Sequence, residues 1–378
     1  MGEKMDEREL KFDTTFKERG GLFDADRTLA LSTRKMFDDI KADAGSIIDY
    51  LKLTYPNLPY INLDFINSPI INATACRYKG EHYIGINYGC FLLLYDMFSK
   101  MFASQQILND IGNVALETDE RKNLSAIIID GYVAFDLYNT RICNPIDEVR
   151  GEFAMAYTAI AVRYLIFHEL GHIVRGHTGY LDDTYASAFS EIESPNNEDG
   201  KIKYIDRQTM EMDADSFATN HSHLRAIVEI NHPEMIPGIF KIINKNIKTF
   251  YSHWIFVIYN LLRLFLLTEF NYDKNKLAKH PPQWMRMQLI LNNIHAILMI
   301  NNFDNNDIIT SHLRNTIESA ESAFCSITFD TKNSELFWLN FLQSEHYGKE
   351  IRYNWNNLIP LLKPYALGKL PGLVDTEL

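Results

Sequence analysis

Two histidines and a glutamate stand together in His168-Glu169-Leu170-Gly171-His172, an H-E-x-x-H pattern. On a helix, side chains four residues apart share one face. Both imidazoles can then reach a single ion, while Glu169 beside them can face a water which that ion activates. Neutral imidazole suits Zn2+, which lowers the pKa of a bound water to about 7, and the carboxylate can take the proton as hydroxide attacks a carbonyl. So short a pattern can arise by chance. Its setting adds weight, because the run FAMAYTAIAVRYLIFHELGHIV has no proline and is apolar on both sides of the motif. Burying two histidines and a carboxylate without an ion would be costly. We expect one buried helix over 151–177.

A catalytic zinc needs a third protein ligand and an open position. His177 is tempting, but on a continuous helix five residues at about 100° each turn it roughly 140° away from His172. It completes the site only if the helix breaks. The metzincin spacing fails too, since Arg175 and Thr178 stand where Gly and His are required. Glu211, in Glu211-Met212-Asp213-Ala214-Asp215, is the better candidate. A carboxylate ligand with a second carboxylate four residues on, Asp215, offers one group to the metal and one to hydrogen-bond a ligating imidazole. The alternative for these acids is a solvated face at a helix start.

The elements that must position these residues follow from composition and pattern. The chain of 378 residues is 46% hydrophobic and 23% charged, the composition of a globular protein with a large core. Its 18 Gly and 12 Pro are too few for a turn-rich all-β fold. Residues 1–45 look like charged helical segments. From Tyr60, INLDFINSPIINATA and HYIGINYG carry the β-branched and aromatic alternation of short strands, and CFLLLYDMFSKMF after Gly89 reads as a helix. Helix is expected from about Gln208, again over about 236–270, and in MRMQLILNNIHAILMI. Polar loops are expected over 182–206, in NYDKNKLAKHPPQW and at Asn301 to Asp307. The fold class is therefore α+β, mostly helical with one small sheet.

Net charge is 37 − 49 = −12, so a nucleic-acid partner is not expected. Cys76, Cys90, Cys143 and Cys325 are scattered and form neither a disulfide framework nor a thiolate zinc site. The start, MGEKMDERELKFDTTFKERG, has no apolar h-region, and a reducing cytoplasm is the expected location. The most apolar stretch, WIFVIYNLLRLFLLT, is interrupted by Asn260 and Arg263 and is shorter than the about 20 residues a span requires. We read it as a core helix and expect no integral membrane segment.

On these residues the chain resembles the gluzincin metallopeptidases, in particular the HtpX-type family with its H-E-x-x-H and E-x-x-A-D motifs. His177 matches that family's common extension of the first motif. Asn72-Ala73, the strand Tyr83 to Asn87 and Gly89 are similar to its Asn-Ala, edge strand and Gly-Leu-Leu segment. His280-Pro281-Pro282-Gln283-Trp284-Met285-Arg286 fits its H-P-x-x-x-x-R motif. The likeness runs from about Ser68 to Met287. The chain departs from the family in lacking its usual membrane helices and in elaborating the segment 178–206. A looser resemblance is to the Lit-type phage-exclusion peptidases, cytoplasmic H-E-x-x-H enzymes.

The resemblance implies His168, His172 and Glu211 as zinc ligands, Glu169 as general base, and Asp215 behind the ligands. It also implies that His280 or Arg286 lies near the site. An imidazole or guanidinium there could donate to the oxyanion of a tetrahedral intermediate. The alternatives are a loop histidine before a Pro-Pro turn for His280 and a salt bridge to an acid of the site for Arg286. The expected organisation is an N-terminal helical accessory region (1–45), a zinc metallopeptidase domain (46–300) whose small sheet sets an edge strand beside the zinc, and a C-terminal helical region (301–378). The expected activity is hydrolysis of peptide bonds in protein or peptide substrates. Rival readings are a peptidase that cleaves one host protein narrowly, and a helical interaction protein with a vestigial zinc site. The strand His82 to Tyr88 is a candidate substrate edge, with Gly85 leaving backbone open and Ile86 beside it, unless both its edges are paired.

Overall fold

The structure, a computed structural model, describes residues 5–118, 120, 122–137, 142–185, 202–265, 278, 280–301, 303, 306–328 and 334–372. The charged start forms α1 (Glu7–Thr15), opened by a capping box between Asp6 and Glu9, then α2 (Ala25–Thr28) and α3 (Leu31–Thr54). Three strands follow, β1 (Ile61–Ile66), β2 (Ala73–Tyr78) and β3 (Glu81–Asn87), and β3 leads directly into α4 (Tyr88–Phe102). A hairpin, β4 (Ala126–Ile129) and β5 (Tyr132–Phe135), precedes α5 (Glu148–Val174), α6 (His177–Tyr185) and α7 (Tyr204–Asn231). The remainder is α8 (Gly238–Ile243), α9 (Ile247–Leu264), α10 (Gln283–Ile300), α11 (Asn306–Ile327) and α12 (Ser334–Leu362). The fold is α+β and 66% helical, as expected.

The sheet order is β1-β3-β2, with β1 parallel and β2 antiparallel to β3. This overturns the expectation that His82 to Tyr88 offers a free edge to substrate. Gly85 pairs with Asp64 on one side and Thr74 on the other, and Ile86 with Phe65 and Ala73. Alternating side chains reveal a strand but not how many neighbours it has. Gly85 serves packing instead: a β-carbon there would lie 2.4 Å from Ile66 Cδ1 and 3.0 Å from Phe16 Cζ. The strand that lies along α5 and α6 with no strand on its other side, among the described residues, is β2.

Asp147 accepts the backbone N–H of Arg150 and starts α5. This helix is enclosed by α3, α4, α6, α7, α8, α9 and the sheet, which explains why its sequence is apolar all round. It does not run through His177. It ends at Val174, and Gly176 at φ +82° turns the chain into α6. A β-carbon at 176 would meet the Tyr365–Ala366 backbone at 2.6 Å, and Leu367 N–H donates to Val174 O at 2.9 Å. The segment after α12 thus closes the end of α5.

Over its described residues the 236–270 stretch is two helices, α8 and α9, parted at Asn246, which caps the second, while 266–270 lie outside the described residues. Within α9, the Asn260 amide donates to Phe256 O and Arg263 pairs with Glu321, so both polar interruptions are held inside the core. No helix of the described residues is long and apolar enough to cross a membrane. Of the expected loops, 186–201, 271–277 with 279, and 302 with 304–305 lie outside the described residues.

Candidate metal centre

α5 and α7 pack with almost no gap where Gly171 meets Ala214 and Phe217. That approach carries Glu211 to the histidines of α5. Nε2 of His168 and Nε2 of His172 are 3.0 Å apart. Glu211 Oε2 lies 3.4 Å from the first and Oε1 3.6 Å from the second. All three side chains are 1% exposed. Zn–N and Zn–O bonds of about 2.0–2.2 Å in a tetrahedron separate ligand atoms by about 3.3–3.5 Å. The three observed spacings straddle that value, and the two-imidazole, one-carboxylate donor set is one zinc accepts. The residues therefore fit a zinc ion.

Behind His168 the structure builds a carboxylate support. Asp215 Oδ1 lies 2.9 Å from His168 Nδ1 and accepts from Tyr164 Oη at 2.7 Å. Arg286 grips the same carboxylate with both arms, Nε at 2.9 Å and Nη2 at 2.8 Å. Burial alone would push the Asp215 carboxyl up, but the Arg286 guanidinium and His168 hold it down at about 2. Asp215 and Arg286 therefore both lie behind His168, and Arg286 is the salt-bridge partner of Asp215.

Behind His172 the support is of another kind. Its Nδ1 lies 3.0 Å from Nδ1 of His177. His177 Nε2 faces Asp213 Oδ2 at 3.4 Å, and Arg175 Nε is 3.3 Å from the same oxygen. The break at Gly176 is what brings His177 back over His172, so the rotation computed for a continuous helix does not apply. The signal available for this was the Arg175-Gly176 pair, since glycine after a basic last turn is a common helix stop.

His280 precedes α10 and its Nδ1 stands 3.4 Å from Glu211 Oε2, with 15% of the side chain exposed. It is the most accessible side chain of the cluster. Burial tends to raise the Glu211 carboxyl, but His280, with the two facing histidines, holds it well below the usual range. Glu169 is buried next to His168, on the side of β2: its charge is felt by Cys76, whose thiol is pushed up to about 12, chiefly by burial. Gly85 and Ile86 are not part of this cluster. His221, set against the Phe167 and Phe217 rings, is pushed down to about 4 by burial and is a core residue.

Residues 110–298, half of the chain, match the family Peptidase U49. The match covers every residue of the cluster from His168 to Arg286. It falls on the looser of the two resemblances, the Lit-type peptidases. No curated protein and no solved structure matches the chain.

Proposed function

The chain belongs to the peptidase U49 family, and we propose that it is a zinc-dependent endopeptidase in which His168, His172 and Glu211 hold the metal and Glu169 is the general base. One observation carries this reading. The ligand atoms of His168, His172 and Glu211 come from two helices and lie within 4.8 Å of one another, all buried. Zinc held there would supply a Lewis acid and a water acidic enough to act near neutrality.

The chain's own groups divide the remaining work. Glu169 takes the proton of the attacking water and returns it to the amine nitrogen as the peptide bond breaks. His280 is the side chain with access to the face of the site next to Glu211, and it can donate to the oxygen that becomes negative as the carbonyl turns tetrahedral. Asp215, held ionised by Arg286, fixes the His168 ring with Nε2 turned inward.

Chelation tests the reading. Proteolysis of a cell extract by the purified chain is expected to stop with a zinc chelator and return on adding zinc. Proteolysis indifferent to chelation contradicts it. Few products in the same extract would favour narrow cleavage of one protein over broad digestion.

A further inference from the structure

The two histidines of the metal centre are alike in sequence and unlike in surroundings. His168 is backed by a carboxylate, Asp215. His172 is backed by another imidazole, His177, which is wholly buried. His177 is enclosed by the turn at Gly176 and by Trp355, whose ring stands edge-on to it at 6.5 Å between centroids. Its second nitrogen faces Asp213, and Asp213 faces Arg175.

This arrangement fixes where the protons sit. To offer the lone pair of Nε2 to a metal, His172 must carry its hydrogen on Nδ1. The group 3.0 Å from His172 Nδ1 is His177 Nδ1, which must then be an acceptor, so His177 carries its own hydrogen on Nε2. The carboxylate nearest that nitrogen is Asp213, with Oδ2 at 3.4 Å. Each link of the chain has one tautomer consistent with its neighbours.

We propose that His177 is a positioning residue for metal binding: with Asp213 and Arg175 behind it, it fixes His172 in the ring orientation and tautomer that present Nε2 to the metal. The proposal rests on the reading of His168, His172 and Glu211 as ligands. It goes beyond that reading by giving His177, which fails as a ligand because its near nitrogen faces Nδ1 and not Nε2 of His172, a role of its own. Removing such a support lowers metal affinity about 10–100-fold in comparable sites.

Zinc affinity by competition with a chromophoric chelator tests it, alongside circular dichroism and melting of the metal-free proteins. His177→Phe keeps a flat ring but has no acceptor, and is expected to lose about 10–100-fold in affinity. His177→Gln can accept from His172 through Oε1 and donate to Asp213 through Nε2, and is expected to recover most of that loss. A purely spatial role predicts the reverse order, with Phe the milder change. Should His177→Phe fail to fold, the zinc-loaded unaltered protein carries the test through 15N spectra of its histidines: hydrogen on Nδ1 of His172 and on Nε2 of His177 supports the proposal. Hydrogen on Nδ1 of His177, or wild-type affinity in both variants, overturns it while leaving the ligand set intact. A wild-type chain that binds no zinc overturns the ligand reading and this proposal together.

Discussion

Gly171 of α5 lies against Ala214 of α7 so closely that a β-carbon at 171 would stand 3.3 Å from the Ala214 Cα and 3.2 Å from the Phe217 Cβ. The contact falls between His168 and His172 on α5 and one turn beyond Glu211 on α7, so two small residues set the distance from Glu211 to the histidines. Gly171→Val is expected to force α7 outward, costing about 1–3 kcal/mol of stability through overpacking. Zinc affinity should fall with it. A melting and zinc-titration comparison in which Gly171→Val binds normally would show that this packing does not set the site.

Glu211→Ala removes the proposed anionic ligand and leaves two imidazoles. Zinc content measured by elemental analysis is expected to drop from one per chain to near none. Metal retained in Glu211→Ala but lost in Asp213→Ala would move the ligand assignment to the His177 side.

Acid should act through Asp215. Its carboxyl lies at about 2 when folded against a usual value of 3.8, because Arg286 holds the ionised form. A depressed carboxyl contributes stability that is complete above the unfolded value and disappears as pH falls through the folded one. The contribution, about 2 kcal/mol at neutral pH, should therefore fade between about pH 5 and 2. Urea denaturation of metal-free wild type and Asp215→Asn across that range checks it. The stability difference should shrink as pH falls, and a constant difference would contradict the account.

Much of the site was legible because helical periodicity is a local property. H-E-x-x-H and Glu211 with Asp215 each sit where a helix puts them, whereas His280 and Arg286 were reached through the resemblance, His280 lying before the helix that carries Arg286. His177 was not, because its position depends on Gly176 at φ +82°, and that turn is held by Tyr365 and Ala366, nearly two hundred residues away. The place of β3 was hidden for the same reason: β1 and β2 flank it through pairings that alternation does not encode. The β4–β5 hairpin was readable and not read. Asp130-Gly131, both at positive φ between the AIII and YVAF strands, is a favoured two-residue hairpin turn.

Cys76 offers a check on the β2 side of the site. Burial, reinforced by Glu169 and Asp182, pushes its thiol up to about 12, so at pH 8.5 it is almost wholly protonated. Iodoacetamide on the native protein is expected to label half-buried Cys143 and to leave Cys76 unmodified until denaturation. Rapid native labelling of Cys76, located by peptide mass mapping, would mean that β2 does not lie sealed beside Glu169.

The role of Glu169 is the centre of the account, and Glu169→Gln isolates it, since the amide keeps the shape of the side chain and cannot take a proton from water. Zinc content and cleavage of a cell extract should be measured together on wild type and Glu169→Gln. The account predicts one zinc per chain in both and cleavage in the wild type alone. Undiminished cleavage by a zinc-loaded Glu169→Gln protein would contradict it.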